Sequence, residues 1–361
     1  MKSIVVLSFI PSPYQVELFD AIHDLGEFSI TAIYAARGVR GTPWSERGMR
    51  HAHHFVSENN KADLLSLAGQ ADLAVFSWYR EPVFRVAMRE RARSGRAWCV
   101  WSERPGFRYA GAVGRVFRNL ALWPLWKSNA AIWGIGQWAI DGYRKEFGSN
   151  RLFLDVPYFS DLSRFRAMRN PQPTRVPRRV LYSGSLINRK GVDVLAKAWQ
   201  RVSPRFPSAT LHFVGSGKMS QRLAQLLSPV DRGVSLLGPV DWDALPNIYG
   251  TADVLCAPSR YDGWGLIVPE ALATGMPVIA STVMGSSREM VNEGRNGWLV
   301  EPGDTGSLEA KLTAALSLSA QEYASMSDAA VATGLQFDAA QGARRFGAAA
   351  NETLDAARKA S

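Results

Sequence analysis

Short apolar runs alternate with longer amphipathic stretches along most of this chain. In the first half the apolar runs are IVVLSF, FSITAIY, LAVFSWY, RAWCVW and AAIWGI, and a helical pattern over residues 14–25 follows the first run. Such runs are typical of strands that are buried on both faces. Their alternation with helices predicts a parallel sheet covered by helices on both sides. The polar stretch over residues 36–60 interrupts this order, and we expect a long loop there.

The same order restarts after a stiff, polar segment. Residues 169–179, RNPQPTRVPRR, hold three prolines and four arginines, a composition that suits a linker better than a helix or a strand. The apolar runs that follow are RRVLYSGS, ATLHFVG, GVSLLG, ADVLCAP, MPVIAS and NGWLVEP, with helical patterns over 191–203, 218–228, 241–250 and 266–274.

We therefore predict an α/β fold with two Rossmann-like, doubly wound parallel-sheet domains that face a central cleft. The first domain would span residues 1–168 and the second residues 180–335, an ordinary size for each. The alanine-rich pattern over 336–361 predicts a C-terminal helix that can pack back on the N-terminal domain. Ligands of doubly wound sheets bind beyond the carboxyl ends of the strands, so we expect the functional residues there.

The net charge and the cysteines indicate which kind of partner and which cellular compartment to expect. Its net charge is +10, and the stretch from Arg80 to Lys127 alone has eleven Lys or Arg residues against three Asp or Glu residues. This predicts an acidic partner for the first half. The first apolar run is too short for a signal peptide or a membrane span, and Cys99 and Cys256 show no metal or disulfide spacing. We expect a cytoplasmic protein.

Three glycine-containing or small-residue turns in the second half follow predicted strands. The turn SGSLINRKGVD, residues 183–193, carries Arg189 and Lys190 directly before a predicted helix. Helix-start amides, the helix dipole and two cations together favour a diphosphate, although a glycine turn with solvated cations has the same sequence. The turns VGSGKM and ADVLCAPS also lie at the ends of predicted strands. A tight strand-to-helix turn would equally explain the first, and a core strand would equally explain the second.

The stretch YDGWGLIVPEALATGMPVIAS, residues 261–281, is more specific. Pro269 predicts the first turn of a helix, so Glu270 lies near the helix amino end, where its charge is favourable. This does not explain Asp262, which precedes a Gly-Trp-Gly loop with little side-chain cover. Carboxylates accept paired hydrogen bonds, so two of them beside a bare backbone indicate a ligand rich in hydroxyl groups.

These segments, in their order over residues 183–304, resemble the carboxy-terminal half of the retaining glycosyltransferases of family 4, also called glycosyl transferases group 1, which have the GT-B fold. That family carries two acidic residues separated by seven others, matched here by Asp262 and Glu270. The resemblance implies that Glu270 holds the ribose hydroxyls of a nucleotide sugar. Asp262 would hold the donor sugar, and Lys190, aided by Arg189, would neutralise the departing diphosphate.

The resemblance also implies the remaining contacts and the absence of a metal or other cofactor. The other predicted donor-binding residues are Gly263, Trp264, Gly265, Gly184, Ser185, Gly215, Pro258 and Leu266. The chain departs from the family pattern in three places. Asp262 stands where glutamate is usual, Ser185 stands where many members have a basic residue, and the first loop reads FIPSPYQVELF instead of being glycine-rich.

In the first domain, Glu103 of WSERPG ends a predicted strand, which makes it a candidate acceptor contact or general base. A solvated loop glutamate is the alternative. The residues Pro13, Tyr14 and Gln15 follow the first strand, and we expect them to rim the cleft. The three histidines His51, His53 and His54 lie in the polar loop without a suitably spaced carboxylate or cysteine, so we expect them to be solvated rather than bound to a metal.

Residues 111–127 have the pattern of an amphipathic helix that ends in tryptophans. Its apolar face would hold Val113, Val116, Phe117 and Leu120, opposite Arg115 and Arg118 and followed by Trp123 and Trp126, with Arg104 and Arg108 nearby. This pattern suits the surface of an anionic membrane, and it equally suits an ordinary helix that packs on a core.

The sequence thus predicts a cytoplasmic retaining glycosyltransferase, and peripheral contact with the inner face of the membrane stays open. It would move a sugar from a UDP- or GDP-sugar to a hydroxyl of a glycan or lipid-linked acceptor, in surface polysaccharide or glycoconjugate synthesis. Three alternatives stay open. They are a sugar-nucleotide epimerase of the same fold, a non-catalytic relative, and a nucleic-acid-binding protein, the last supported by charge alone because no nucleic-acid motif is present.

Overall fold

A computed structural model describes residues 1–38, 48–106, 111–169, 176–228 and 233–360. The chain divides into two compact units, one formed by Met1–Asp161 with Ala339–Ser361 and the other by Leu162–Asp338. Most of the predicted linker, residues 170–175, lies outside the described residues. Each unit is a parallel sheet with helices.

The described strands of the first unit form one parallel sheet. They are β1 (Lys2–Ser8), β2 (Phe28–Tyr34), β3 (Ala52–Phe55), β4 (Leu73–Phe76), β5 (Trp98–Ser102), β6 (Ala131–Gly134) and β7 (Phe153–Asp155). Their order across the sheet is β3-β2-β1-β4-β5-β6-β7. The central strands are buried on both faces, as their unbroken apolar runs predict. The edge strands β3 and β7 are partly or largely exposed and were not predicted.

The helices in the first segment of this unit, before residue 162, are α1 (Pro13–Leu25), α2 (Lys61–Gln70), α3 (Pro82–Ser94), α4 (Gly111–Ala121), α5 (Trp123–Trp126) and α6 (Gln137–Phe147). The start of α1 follows from Pro13, whose fixed φ suits the first helical turn, and Gly26 ends it in a left-handed conformation. None of the described helices of the chain combines the length and the apolar character needed to cross a membrane.

The prediction that all three loop histidines are solvated is wrong for His51. Its side chain is buried, with Nδ1 2.6 Å from Asp20 Oδ1 and Nε2 3.1 Å from the Tyr34 hydroxyl. Asp20 comes from α1, so spacing along the chain could not reveal the pair. The charge and hydrogen bonds of His51 outweigh the effect of burial and lower the pKa of Asp20. Residues 39–47 of this loop lie outside the described residues.

The second unit repeats the architecture with shorter strands. Its described strands are β8 (Arg179–Ser183), β9 (Thr210–Val214), β10 (Val234–Gly238), β11 (Val254–Ala257), β12 (Val278–Ser281) and β13 (Gly297–Val300). They form a parallel sheet in the order β10-β9-β8-β11-β12-β13. All six of the apolar runs predicted in this half are strands.

The helices of this unit are α7 (Ser163–Arg166), α8 (Val192–Val202), α9 (Ser220–Leu227), α10 (Leu245–Gly250), α11 (Ile267–Ala273), α12 (Gly285–Met290), α13 (Thr305–Leu316) and α14 (Ala320–Gly334). The buried face of α8 includes Leu195 and Trp199, which join the core formed by the sheet and α13. This packing fixes the amino end of α8 near the carboxyl end of β8.

The last helix, α15 (Ala339–Ala360), returns to the first unit. Phe346 lies edge-on to Trp133, with ring centroids 5.0 Å apart, and the Trp133 indole donates a hydrogen bond to Thr353 Oγ1 at 3.0 Å. All three side chains are buried. The helix therefore completes a core that the first part of the chain leaves open.

Candidate functional site

The two loops that meet in the second unit follow β8 and β11. These strands are neighbours, but the chain leaves β8 toward β9 on one side and leaves β11 toward β12 on the other. Such a reversal opens a crevice at the carboxyl ends of the strands. The loops approach closely there, because a Cβ on Gly191 would lie 2.0 Å from the Pro258 carbonyl oxygen. Gly191 also has a φ of 70°, so no other residue fits without strain.

A charged cluster occupies this crevice. Arg189 and Lys190 lie in a single 3-10 turn directly before α8, and both bind Asp262 from the loop after β11. Arg189 Nη1 donates to Asp262 Oδ1 at 3.0 Å, and Lys190 Nζ donates to Oδ2. The structure therefore brings together the three residues that the sequence assigned to the diphosphate and the sugar.

Asp262 is charged although it is only 7% exposed. Burial would raise the pKa of this carboxyl, but the charges and hydrogen bonds of Lys190 and Arg189 outweigh it and hold the pKa below its ordinary value. The backbone N–H of Gly263 also donates to Oδ1, at 3.0 Å. Both carboxylate oxygens are thus engaged, and the cations are held at the start of α8, where the helix dipole favours an anion.

Glu270 lies in the first turn of α11 and is almost completely buried. The hydroxyl of Tyr249, on α10, donates to Glu270 Oε2 at 3.0 Å. Burial and the nearby charge of Glu270 raise the pKa of Tyr249 well above its ordinary value, so this hydroxyl keeps its proton and remains a donor. Tyr249 was not predicted, because a single tyrosine in a short helix carries no sequence signal for a partner on another helix.

The Gly263-Trp264-Gly265 loop is held by Ser286, which also was not predicted. The Ser286 hydroxyl lies 2.7 Å from the Trp264 carbonyl oxygen and 2.8 Å from that of Gly265. Trp264 points its indole into the core, so any ligand contact it makes is through its backbone. The amides of Trp264 and Gly265 have no hydrogen-bond acceptor among the residues that the structure describes. Leu266, half-buried, leads from this loop into α11.

The glycine turns after β8 and β9 touch each other at the same edge of the sheet. A Cβ on Gly215 would lie 2.0 Å from the Gly184 carbonyl oxygen, so the turn needs glycine there. Ser185 is exposed, and its carbonyl oxygen accepts a hydrogen bond from the Tyr182 hydroxyl at 2.8 Å. Pro258 is the first residue of the loop after β11, and it is buried. The predicted donor-binding residues are therefore gathered on neighbouring turns.

A second ion pair clamps the same two loops and was missed by the sequence. Arg260 donates to both oxygens of Asp193, at 2.6 and 2.7 Å. The hydrogen bonds of Arg260 lower the pKa of Asp193. Because Asp193 is in the first turn of α8, this pair fixes the loop after β11 against the helix that begins at the cationic turn.

The first unit has its own crevice, again where the strand order reverses, between β1 and β4. A cavity of about 300 Å³ lies there, and Tyr14, Gln15 and Glu103 are among its lining residues. Pro13 is buried in the first turn of α1 and does not line this cavity. Two of the three residues that we expected at a rim, together with Glu103, thus share one cavity.

The polar wall of this cavity is organised around Gln15. The hydroxyls of Ser8 and Ser12 each lie 3.0 Å from Gln15 Oε1, which accepts from both. This fixes the amide so that Nε2 is its donor end. Tyr14 packs on Tyr158 with ring centroids 4.7 Å apart. Burial, with a smaller effect from the charge of Glu103, raises the pKa of Tyr14 to about 12.

Of the two alternatives for residues 111–127, the helix that packs its apolar face on a core does not hold for α4. On α4, Phe117 is 70% exposed and Leu120 69% exposed, and the same face carries exposed Val113 and Val116. After it, Trp123 and Trp126 are about half exposed. On the other side of α4, Arg118 binds Glu146 through two guanidinium nitrogens. Arg108 lies outside the described residues.

Comparison with known proteins finds a family match for part of the chain. Residues 177–318 match the family model described as Glycosyl transferases group 1. The GDP-mannose-dependent monoacylated alpha-(1-6)-phosphatidylinositol monomannoside mannosyltransferase of Corynebacterium glutamicum is 31% identical over 191 residues, 48% of this chain and 49% of that protein. The chain spans about half the length of the curated relatives it matches, or less.

Solved structures extend the similarity to the whole chain. HepE of Anabaena, in complex with UDP, has a TM-score of 0.76 at 17% identity, covering 98% of this chain and 100% of its own. A glycosyltransferase of Rickettsia africae has a TM-score of 0.74 at 15% identity, covering 98% and 99%. The predicted GT-B fold is thereby confirmed. The predicted resemblance to the glycosyl transferases group 1 family is confirmed for residues 177–318, which lie in the second unit.

Proposed function

We propose that this chain is a retaining glycosyltransferase. It transfers a sugar from a nucleoside diphosphate sugar, with UDP or GDP as the carrier, to a hydroxyl group of a glycan or lipid-linked acceptor in the synthesis of a surface polysaccharide or glycoconjugate. The observation that carries the proposal is the cluster that buried Asp262 forms with Arg189 and Lys190 at the start of α8. The names of the similar proteins, a GDP-mannose-dependent enzyme and a UDP complex, support both carriers.

The cluster explains how a diphosphate would be bound and released. Arg189 and Lys190 are both paired with Asp262, whose single negative charge offsets one of their two positive charges. A diphosphate brings more negative charge than one carboxylate and would take over both cations, which frees the oxygens of Asp262 for hydroxyls of the donor sugar. The same cations would stabilise the charge that develops on the diphosphate as the sugar leaves. The two side chains supply this charge, so we propose that the reaction needs no metal or other cofactor.

Glu270 would bind the nucleoside. A ribose offers two neighbouring hydroxyl donors, and Glu270 has two acceptor oxygens, one of which already accepts from Tyr249. The Tyr249 bond fixes the orientation of the carboxylate before the ligand arrives. We propose that Glu103 contacts the acceptor or acts as its general base. In the case where Glu103 is only a contact, an oxygen of the leaving phosphate would take the acceptor's proton on the same face of the sugar, which retains the configuration.

Calorimetric titration of the purified chain with UDP, GDP, ADP and CMP, without added metal, tests the donor site. We expect selective binding of one nucleotide and its loss in Glu270→Ala. The matched control is Glu301→Ala, an exposed glutamate of the same unit, which should bind normally. Binding of none of the four would contradict the proposal. A product that forms from the nucleotide sugar without any acceptor would favour the epimerase.

We propose in addition that the chain binds the surface of an anionic membrane, on the cytoplasmic side, through the exposed apolar face of α4. This face is flanked by cations, since Arg115 is exposed on α4 and Lys127 lies over the Trp123 ring at 4.9 Å. Apolar side chains that enter the interface, tryptophans at its edge and cations near anionic headgroups suit this partner.

Flotation with phosphatidylglycerol vesicles at low salt tests this surface. The double variant F117S/L120S should lose most of its vesicle binding. Leu236→Ser, which removes a similarly apolar exposed side chain from the second unit, should not. Equal binding of both variants, or no binding of the unaltered chain, would overturn the membrane proposal.

A further inference from the structure

We infer that the cavity of the first unit binds an acceptor that carries a phosphate or diphosphate on a lipid. This inference rests on the proposed transferase function and specifies its second substrate. Three arginines from three separate elements line the cavity. Arg80 follows β4, Arg104 follows β5 and Arg118 lies on α4. Arginine suits phosphate because its planar group of N–H donors matches the phosphate oxygens in pairs.

The arginines are held in defined orientations. The Arg104 guanidinium lies 3.8 Å from the centroid of the Trp138 ring, and that of Arg80 lies 5.4 Å from the Trp78 ring. A guanidinium stacked on an aromatic face keeps its plane fixed, with its N–H donors directed within that plane. Arg118 is held by its ion pair with Glu146. We assign the phosphate contacts to Arg80 and Arg104, because stacking on a tryptophan fixes the plane of each guanidinium.

The cavity is built for two kinds of group. Its lining includes Gln15, serine hydroxyls and Tyr14, the neutral donors and acceptors that suit sugar hydroxyls, together with Glu103. The three arginines line the same cavity. A neighbouring cavity of about 450 Å³ shares Arg104 and Arg118 with the first and adds Arg115 and Lys145, beside Asp141 and Glu146. Cationic side chains therefore continue beyond the first cavity.

The position of Arg118 indicates how the phosphate is presented. Arg118 lies on α4, whose opposite face exposes Phe117 and Leu120. Arg118 and the apolar face proposed for the membrane thus lie on two sides of one helix. A sugar attached through a phosphate to a membrane lipid would place its phosphate beside α4 when the lipid chain stays in the bilayer. A soluble phosphate ester has no use for the apolar face.

Titration of the full chain with farnesyl diphosphate, monitored by calorimetry, tests the inference. Because a diphosphate could also bind Arg189 and Lys190, the same titration is made on R189Q/K190Q. We expect binding that persists in R189Q/K190Q and weakens about tenfold or more in R80Q/R104Q, since each lost charged hydrogen bond weakens binding by about that factor. Arg80→Gln alone should show an intermediate loss if the double variant does not fold.

The control variant is Arg89→Gln, an exposed arginine of α3 in the same basic stretch that does not line the cavity, and it should bind normally. Equal affinity for inorganic pyrophosphate would overturn the lipid assignment in favour of a soluble phosphate ester. Binding that is lost in R189Q/K190Q and unchanged in R80Q/R104Q would overturn the site itself. Nucleotide binding without farnesyl diphosphate binding would remove this inference and leave the transferase proposal standing, and the reverse result would do the opposite.

Discussion

The two crevices of this molecule lie at the same place in two similar sheets, but they are filled differently. In the second unit the charges are already paired, with Asp262 bound to Arg189 and Lys190, and the loops nearly touch across Gly191. In the first unit a cavity of about 300 Å³ remains, lined by aromatic rings and hydroxyls as well as arginines. The family match covers residues 177–318 and so falls on the paired crevice. The comparison teaches that the same place in two similar sheets can hold either closely packed loops with paired charges or an open cavity.

The largest effect should come from removing a cation of the paired crevice. Lys190→Met should lower kcat/KM for sugar transfer by about 100- to 1000-fold, because stabilisation of the leaving diphosphate would be lost. Lys197→Met, an exposed lysine on α8, is the control and should retain activity. Initial rates with the donor identified by titration measure both. A loss below about tenfold would show that the paired crevice does not carry the transfer chemistry.

Two glycines with nearly the same φ allow the energetic cost of backbone strain to be distinguished from the cost of crowding at Cβ. Gly26, at the end of α1, has a φ of 68° and open space at its Cβ position, whereas Gly191 has a φ of 70° and the Pro258 oxygen at 2.0 Å. Gly26→Ala should cost about 1–2 kcal/mol of the free energy of unfolding, from strain alone. Gly191→Ala should cost about 2–5 kcal/mol, since overpacking adds about 1–3 kcal/mol to the same strain.

Urea denaturation of the two glycine variants, followed separately for each unit, measures this difference. If the two substitutions lowered the free energy of unfolding by the same amount, the close packing of the loops at Gly191 would be contradicted. The contrast between the two crevices would be sharpened if Gly191→Ala also abolished nucleotide binding at urea concentrations where the second unit remains folded.

A smaller effect is expected for the hydroxyl that orients Glu270. Tyr249→Phe should weaken nucleotide binding by about five- to tenfold, because a bond to a charged group is lost and the carboxylate is no longer held. Tyr143→Phe, a buried tyrosine at the cavity of the first unit, should leave nucleotide affinity unchanged. Calorimetry measures both variants. Equal weakening in the two would mean that the two crevices are not independent in binding.

The smallest effect should appear as a pH dependence. The pKa of Asp262 is lowered in the folded chain, so its stabilising contribution is present above the ordinary carboxyl pKa and is lost as the pH falls through the lower, folded value. In Asp262→Asn the unfolding midpoint should therefore fall less steeply than in the unaltered chain below about pH 4. Urea midpoints between neutral pH and the acid range test this, and parallel curves would contradict it.

Sequence pattern was sufficient for the sheet of the second unit, because its strands are short apolar runs bounded by turns. It failed for β3, where most side chains are exposed and no apolar signal exists, and for the burial of His51, whose partner Asp20 lies on another element. The exposure of the apolar face of α4 could not be predicted either. An amphipathic pattern shows that a helix has an apolar side, but it does not show what covers that side.

In the candidate site, too, some residues could be predicted from the sequence and others could not. Asp262, Glu270, Arg189 and Lys190 could be chosen from the sequence, because residue type and position after a strand together indicate chemistry. Their supporting partners Tyr249, Ser286 and Arg260 could not. Each of these binds a residue that is distant along the chain, and the hydrogen bond exists only after the units have folded.

The return of α15 to the first unit has a consequence for how the protein is made. The second unit is one continuous segment, so the ribosome delivers all of it before residues 339–360 emerge. The first unit meanwhile lacks Phe346 and Thr353, which cover Trp133 in the finished fold. At the usual rate of synthesis, this interval lasts on the order of ten seconds. The unit that begins first is thus completed last, and its indole-rich surface is open to chaperones throughout the translation of the other.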